Sequence, residues 1–479
     1  MNRVFQRKIR LNDPCKEGNA KKINASRPVR ISERDMNPFR DLHDALIDRR
    51  LNSVVDERCA KSLNKRNKIG EGGFGSIFSI KLKNDKGVNE DLFVKVPADY
   101  RKKISKSKVR EINDEMLSEQ KKADYLRNKI NKAINDGNFA SAQALNNVVA
   151  PVKVFQIDKN GLKAVLMRKA DGNDGIKAIN DGKIEGYGEV ISLKEEELHN
   201  KKSDSCKLKK YHYVDDRKVA LSIARQKAML LRGLHECGYV NIDTKLENVM
   251  ISKNGVVSMI DIGSIVKTDQ KNNFSFAYTA ATVAPEVLKS GYEANAKADV
   301  FSDAVDRPYI LFGQVADKYF DRKSYNNFRN PKRAATFVKN GIKEYKKLGF
   351  DLPEFPENFT NAQKARYIYY NLGFKKIQKE LVDALKENAK TRQQVKKAEI
   401  VEKDIYPDEV LHSLALLQTY ATDPDPRFRI SDREVEEILL NLEMTSDLWN
   451  SGQFRVKDRH ITLYSLVDEI LPKNRKKEK

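Results

Sequence analysis

The chain has 479 residues and is strongly basic, with 90 Lys+Arg against 68 Asp+Glu and a formal net charge of +22. At roughly 150 residues per domain, this length predicts about three domain-sized units. Its 20 Phe and 18 Tyr supply bulky packing, which excludes wholesale disorder. The four cysteines show no Cys-x-x-Cys or Cys/His spacing, which excludes a disulfide scaffold and gives a structural zinc site no support.

The sequence offers no membrane-spanning or secretory segment. No stretch approaches the roughly 20 apolar residues that cross a bilayer. The N-terminus from Met1 to Lys22 is interrupted by charge and lacks the apolar core of a signal peptide. We therefore expect a cytoplasmic protein.

The net charge leaves the partner open. A basic chain can bind nucleic acid, an anionic membrane or an acidic partner, or it can simply be well solvated. The basic runs from Lys375 to Lys403 and from Lys473 to Lys479 are candidate tethers. Few aromatic residues interleave with basic ones, so base stacking has no evident platform, and we interpret both runs as solvated surface.

The first elements in chain order are strands on either side of a long helix. Residues 1–66 form a basic extension with one helical candidate, Phe39 to Val55. After Asn67, glycines cluster and short runs of β-branched residues alternate with turn residues, which predicts strands. The strand candidates are Ile77–Ile80, Leu92–Val96, Val148–Ile157 and Leu162–Met167.

The helix predicted between these strands runs from Ser107 to Ala133. Its apolar positions recur mostly every three or four residues, so they share one face. They are Val109, Ile112, Met116, Ala123, Leu126 and Ile130. Glu119 falls on the same face, and a carboxylate there needs a partner.

The second half of the sequence is mainly helical. Residues Asp171 to Lys210 have the glycine and charge content of an inserted loop, and a helix is predicted from Asp215 to Glu236. Two short apolar runs follow, and from Val287 the pattern is almost wholly helical. The strand-rich first part and helical second part predict an α+β fold of two lobes.

Two features of the first lobe are typical of phosphate binding. The run Gly70 to Gly75 is a G-x-G-x-x-G motif, whose backbone amides can approach phosphate oxygens because glycine has no Cβ. A strand follows it, whereas a dinucleotide fold would have a helix there. This order favours a hairpin that covers a nucleotide. Lys95 projects from an apolar strand one strand further on.

Three more motifs follow in the second lobe. They are Asn241 to Asn248, which contains Asp243, then Asp261-Ile262-Gly263, and Ala284-Pro285-Glu286. Each could arise by chance, but the order and the spacing of all the motifs could not.

Together the motifs resemble those of the eukaryotic-type protein kinases. The resemblance runs from about Lys68 to Asn441 and includes two further segments, Ala298 to Ser302 and Asp425 to Ser431. It implies a bilobal fold, with a small antiparallel β lobe carrying one main helix and a larger helical lobe. The implied domains are the extension 1–66, an N-lobe 67–170, an insertion 171–214, a C-lobe 215–445 and a basic tail 446–479.

The resemblance implies ATP and Mg²⁺ as cofactors. Lys95 would hold the phosphates and pair with a helix carboxylate, for which Glu119 is the first choice and Glu115 the second. The proposed metal ligands Asn248 and Asp261 supply the hard oxygens that Mg²⁺ prefers.

The adenine and phosphate contacts are also implied by the resemblance. The residues around the nucleotide phosphates, here called the cradle, would be Ile69, Gly70, Gly72, Gly73, Phe74 and Gly75. Met167 would guard the back of the adenine pocket, and Arg168 to Ala170 would form the hinge.

The implied substrates are protein Ser/Thr hydroxyls. Asp243 would orient the hydroxyl and accept its proton, while Lys245 would face the transferring phosphoryl group. Tyrosine kinases usually lack a lysine two residues after the catalytic aspartate, which is the position of Lys245 in this chain. Thr279 lies at the position where Ser/Thr kinases have a threonine that contacts the catalytic aspartate. The implied partner is thus a protein substrate, and the basic charge suits an acidic one.

Several positions depart from the family pattern. Asn241 and Ile242 replace the usual His-Arg, and Ile242 cannot bind an activation-loop phosphate by a charge-assisted contact. We therefore expect activity that does not depend on such a phosphate. Asp303 and Asp306 enter a normally apolar helix, which predicts divergence after Ser302. This divergence, with the Asn- and Lys-rich composition, resembles kinase effectors that intracellular bacteria inject into a host cytosol.

Two alternatives within nucleotide-binding proteins stay open. A pseudokinase scaffold would usually have lost Lys95, Asp243 or Asp261, all of which are present. A small-molecule phosphotransferase would lack the segment around Glu286 and the matching Arg429. The resemblance implies that these two residues form a buried ion pair that braces the helical lobe.

Overall fold

The first part of the described chain forms a five-stranded antiparallel sheet in the order β1-β2-β3-β5-β4. Its strands are β1 (Lys68–Gly72), β2 (Gly75–Lys83), β3 (Asn89–Val96), β4 (Pro151–Gln156) and β5 (Lys163–Arg168). The structure, a computed structural model, describes residues 63, 65–72, 75–83, 89–98, 100, 104–149, 151–187, 190–194, 208–212, 214, 216–268, 279, 281–289, 292–320, 328, 330–392 and 406–450. All of these belong to one compact unit, Phe39–Lys479.

One face of the sheet forms the core of the small lobe. Because side chains alternate between the faces of a strand, every second residue is buried from Ser76 to Ile80 of β2 and from Leu92 to Val96 of β3. The cluster comprises Phe78, Ile80, Leu92, Val94, Val96, Phe155, Ala164 and Leu166. Gly75 begins β2 at φ 140°, where a Cβ would lie 2.0 Å from the Val96 carbonyl oxygen. This close approach requires glycine.

The long helix α1 (Lys106–Asn135) packs on this lobe. Ser105 caps its N-terminus by accepting a hydrogen bond from the Lys108 N–H at 3.2 Å. The predicted apolar face is confirmed, since the same residues are buried, and three of them, Val109, Ile112 and Met116, pack against β5 and the turn before it. The helix thereby points Glu119 and Lys122 toward the second lobe.

A short helix, α2 (Phe139–Asn146), joins α1 to the second lobe. It packs on α4 (Arg217–Glu236), where a Cβ on Gly233 would lie 2.9 Å from the Ala144 Cβ. The Ser141 hydroxyl donates to Glu236 at 2.8 Å. These contacts fix the end of α1 against the larger lobe.

The larger lobe is mostly helical, as predicted. Besides α4 it contains α3 (Gly175–Asn180), α5 (Ala296–Phe312), α6 (Pro331–Leu348), α7 (Asn361–Arg392), α8 (Asp408–Ala421) and α9 (Asp432–Asn450). Its short strands are β6 (Asn173–Asp174), β7 (Val190–Lys194), β8 (Leu208–His212), β9 (Tyr239–Asn241), β10 (Val249–Ile251), β11 (Val257–Met259) and β12 (Ile265–Lys267). The predicted α+β fold of two lobes is confirmed.

The segment predicted as an inserted loop contains regular structure. In it, β6 pairs with β10, α3 follows directly, and β7 and β8 form an antiparallel hairpin. These short strands escaped detection because two to five residues give little periodicity. The domain boundaries themselves stay predictions.

The two aspartates that enter α5 are buried and paired. Lys227 of α4 lies 3.3 Å from Asp303 and 3.1 Å from Asp306, and Arg307 lies 2.5 Å from Asp303. The helix continues to Phe312 because these charges neutralise one another inside the lobe. The divergence expected after Ser302 stays a prediction, and what the structure shows at this position is a buried ionic cluster.

Some predicted features lie outside the described residues. They are the helix from Phe39 to Val55, Gly73, Phe74 and the basic tail from Lys473 to Lys479. Among the helices that the structure describes, none is both long enough and apolar enough to cross a bilayer.

Candidate active site

Asp243 lies at the centre of a hydrogen-bonded group in the loop after β9. Its Oδ1 accepts a hydrogen bond from the Thr279 hydroxyl at 2.7 Å, and its Oδ2 lies 2.8 Å from the Lys245 ammonium. Lys245 also donates to Thr279 at 2.8 Å. The carboxylate is only 6% exposed, so these donors define its orientation.

Asn248 and Asp261 flank this group. The Asn248 amide nitrogen donates to the Asp243 backbone oxygen at 2.8 Å and to Oδ2 at 3.0 Å, which orients its amide. Asp261 has φ 70° and is the one non-glycine residue with positive φ among those described. Backbone strain of this kind clusters at functional sites.

The donor set of Asn248 and Asp261 fits Mg²⁺. One carboxylate and one amide oxygen are hard ligands, and Mg²⁺ bound with a nucleotide takes its other ligands from phosphates and water. Within the described ranges no cluster of three or more His, Cys, Asp or Glu side chains could hold a metal ion alone.

Lys95 connects the sheet to α1. Its Nζ lies 3.2 Å from Glu119 and 3.6 Å from Asp261, whereas Glu115 is exposed. Burial alone would lower the pKa of Lys95, but Asp261 and Glu119 outweigh burial and raise it. Burial also raises the pKa of Glu119, with Lys95 opposing. The lysine thus stays charged beside Asp261.

Lys122 is a site residue that sequence reasoning missed. It donates to the Gly263 carbonyl oxygen at 2.9 Å, and burial lowers its pKa. The one available signal was its spacing, because a residue three positions after Glu119 lies on the same helix face. In a lysine-rich chain that signal is weak.

The residues predicted to contact adenine lie where the two lobes meet. Met167 pairs with Phe93 of β3 at the end of β5, and Ala170 beyond it is buried. Ile69, Gly70 and Gly72 lie on β1, where Ile69 is exposed. The sheet therefore carries the described part of the predicted cradle and Lys95 on adjacent strands.

A second group of residues, for which the sequence predicted no role at the site, supports the segment from Asn241 to Asn248, here called the catalytic loop. Asp299 of α5 accepts hydrogen bonds from the Asn241 backbone N–H at 2.7 Å and from His235 at 2.7 Å. His235 also contacts Asp432 of α9 at 2.6 Å. Burial would lower the pKa of His235, but its bonds to Asp299 and Asp432 raise it to about 9. The imidazolium therefore ties three helices to the loop.

The charge on His235 predicts a pH-dependent stability. Because its pKa is raised in the folded chain, its contribution is fully present below the unfolded value of about 6.5 and is lost as the pH rises through about 9. We expect the urea midpoint of the wild type to decrease as the pH rises through this window. His235→Gln should make the midpoint less dependent on pH.

His412→Gln is the matched control. Burial lowers the pKa of His412 to about 4, so this residue is neutral throughout the same window. An equal pH slope in wild type and His235→Gln would show that His235 is uncharged in the folded protein.

The helical lobe is braced by a buried ion pair. Arg429 contacts Glu286 through two nitrogens, at 2.6 Å and 3.1 Å, and its side chain is fully buried. Arg429 also donates to the Asp423 carbonyl oxygen at 2.7 Å. The pair joins the segment after Thr279 to the loop before α9.

The two lobes, with the group around Asp243 in the larger one, have the arrangement of the protein kinase fold. Residues 191–398 match the family model for the protein kinase domain. The match contains the catalytic loop, Asp261 and Glu286, and it begins after Lys95 and Glu119.

Several proteins named as kinases are similar to this chain. A probable serine/threonine-protein kinase of Dictyostelium discoideum is 37% identical over 87 residues, which are 18% of this chain and 9% of that protein. Sperm motility kinase 3A of Mus musculus is 28% identical over 217 residues, 41% of this chain and 43% of that protein. Serine/threonine-protein kinase kin-29 of Caenorhabditis elegans is 26% identical over 211 residues, 42% of this chain and 25% of that protein.

The chain is thus similar to protein kinases of the eukaryotic serine/threonine type, and the family match covers less than half of its residues. The chain spans less than half the length of each of these relatives.

Proposed function

We propose that the protein transfers the γ-phosphoryl group of ATP to Ser/Thr hydroxyls of protein substrates. The observation that carries this proposal is the contact of Asp243 with both Thr279 and Lys245. Thr279 lies on the segment that leads to Glu286, where a substrate would approach. Asp243 can therefore orient a hydroxyl beside Lys245.

In the proposed reaction the oxygen of the substrate hydroxyl forms a bond to the γ-phosphorus of ATP, and the bond between that phosphorus and ADP breaks. Asp243 accepts the proton that the hydroxyl loses. Lys245 stabilises negative charge on the transferring group, and Lys95 holds the other phosphates. Asn248 and Asp261 would hold Mg²⁺. When bound, the metal neutralises phosphate charge.

Activity is proposed not to require a phosphate on the activation segment. Ile242 is 3% exposed and apolar, so it provides no cation for such a phosphate. The loop is held instead by Asp299, which accepts from the Asn241 N–H and from the Thr244 hydroxyl at 3.4 Å. These contacts require no modification.

The basic charge has one described location that suits an acidic substrate. The solvent face of α6 exposes a row of lysines, and its acidic residue Glu344 pairs with Lys376 at 3.1 Å. The lysines are Lys332, Lys339, Lys343, Lys346 and Lys347. The face lacks exposed aromatic residues among those described, which favours an acidic protein over nucleic acid.

The assay is incubation with labelled ATP, Mg²⁺ and an acidic or a basic generic protein, before and after phosphatase treatment. We expect Ser/Thr labelling that survives the treatment, because the loop contacts are built from unmodified residues. A large loss of activity after dephosphorylation would overturn the independence from phosphate. Mass spectrometry of the treated protein provides the control for complete dephosphorylation.

The same assay separates the alternatives. A pseudokinase scaffold would bind ATP but label nothing. A small-molecule phosphotransferase would consume ATP only with a small acceptor, and the Glu286–Arg429 pair disfavours it because the pair braces a protein-kinase-like lobe.

A further inference from the structure

The segment after Asp261 is hydrogen-bonded to both lobes. From α1, the Lys122 ammonium donates to the Gly263 carbonyl oxygen at 2.9 Å. From the other side, the Ser264 hydroxyl donates to the Asn241 side-chain oxygen at 2.8 Å. Neither Lys122 nor Ser264 has a role in the proposed phosphoryl transfer.

Asp261 needs such support because its backbone is strained. At φ 70° a non-glycine residue persists only where its surroundings hold it. The Gly263 N–H donates to Asp261 Oδ1 at 3.1 Å, so the position of Gly263 sets the position of the carboxylate. A Cβ on Gly263 would lie 3.0 Å from both Asp261 and Glu119, so the three groups are closely packed.

Two side chains of α1, Glu119 and Lys122, contact the Asp261–Gly263 segment in different ways. Glu119 reaches Asp261 through Lys95, at 3.2 Å and 3.6 Å, whereas Lys122 contacts Gly263 directly. Since Glu119 and Lys122 lie one turn apart on one helix face, a displacement of α1 would release both. The position of α1 and the position of Asp261 are thereby coupled.

We propose that Lys122 is a positioning residue that holds Asp261 in the geometry for binding Mg²⁺ with a nucleotide, and that the Ser264–Asn241 hydrogen bond does the same from the larger lobe. The identity of the ligand rests on the function proposed above. Neither residue touches the metal or the nucleotide. Their effect is on metal affinity.

The test is binding of a fluorescent ATP analogue to the full chain, with and without increasing Mg²⁺. Removal of a group that orients a metal ligand lowers metal affinity by roughly 10- to 100-fold, so we expect Lys122→Met to raise the Mg²⁺ midpoint by about 10-fold. Binding without Mg²⁺ should not change. Lys122→Arg, which keeps a donor, should restore most of the affinity.

The adjacent Lys121 provides the matched control. It is exposed, so Lys121→Met should match the wild type. Ser264→Ala should also raise the Mg²⁺ midpoint, and the double variant with Lys122→Met should depart from additivity because both contacts hold one segment. In turnover assays Lys122→Met should raise the Mg²⁺ requirement and leave kcat at saturating Mg²⁺ nearly unchanged.

Two outcomes would overturn the proposal. One is an unchanged Mg²⁺ midpoint in Lys122→Met, and the other is an equal loss of binding with and without Mg²⁺, which would make Lys122 a nucleotide or folding residue. If the wild type binds nucleotide in a Mg²⁺-dependent way and phosphorylates nothing, the proposed function fails while this inference can still be measured.

Discussion

Asp243→Asn should lower kcat for protein phosphorylation by roughly 10²- to 10⁴-fold, the usual range for loss of a general base. The amide cannot accept the hydroxyl proton. It also places an N–H₂ group among the donors Lys245 and Asn248, which lie 2.8 Å and 3.0 Å from Oδ2. We expect little change in ATP affinity, because Lys95 and Asp261 form a separate group.

The measurement is initial rate against ATP concentration, with the thermal midpoint recorded for each variant. Asp351→Asn is the control, since it removes the same charge from an exposed position of the helical lobe. Retention of wild-type kcat by Asp243→Asn would exclude Asp243 as the catalytic base.

Arg429→Met should destabilise the helical lobe by about 3–5 kcal/mol, the range for breaking a buried ion pair. The substitution leaves the Glu286 carboxylate, which is 7% exposed, without its bidentate partner. The Asp423 carbonyl oxygen also loses its two donors from the guanidinium. Both effects are desolvation costs that folding can no longer offset.

Denaturant unfolding followed by circular dichroism measures the loss. The matched control is Arg427→Met, because Arg427 also pairs with an aspartate, Asp425, but its side chain is 80% exposed. We expect little change there, since solvent screens such a pair. Adding Glu286→Leu to Arg429→Met should recover part of the stability by removing the unpaired charge. No recovery would indicate that the Asp423 contacts dominate.

Much of the fold could be predicted from the sequence because the signals are local or periodic. The apolar face of α1 and the strands β2 and β3 follow from spacing alone, and the structure buries those residues. Glu119 was singled out because it interrupts that face, and the structure pairs it with Lys95. The short strands β6, β7 and β8 were missed because their periodicity is too brief and their pairing partners are distant.

The polar contacts around the site could not be predicted from the sequence in this way. Lys122, His235 and Lys227 are basic residues in a chain with 90 Lys+Arg, and composition cannot separate them from the solvated majority. Their partners lie far along the sequence, as with Gly263 for Lys122 and Asp299 for His235. Only the packing of α1, α4 and α5 around the catalytic loop brings these groups within hydrogen-bond distance.

The sequence by itself determined the family resemblance, the two-lobed class and the order of the motifs, because these depend on residue type and spacing. The tertiary structure alone decided which charges are buried and paired. Hydrogen bonds and ion pairs act over about 3–4 Å, and only folding brings residues so far apart in the chain to that distance. Among the described residues, the positive charge therefore separates into a few buried cations with assigned partners and an exposed basic surface that includes α6.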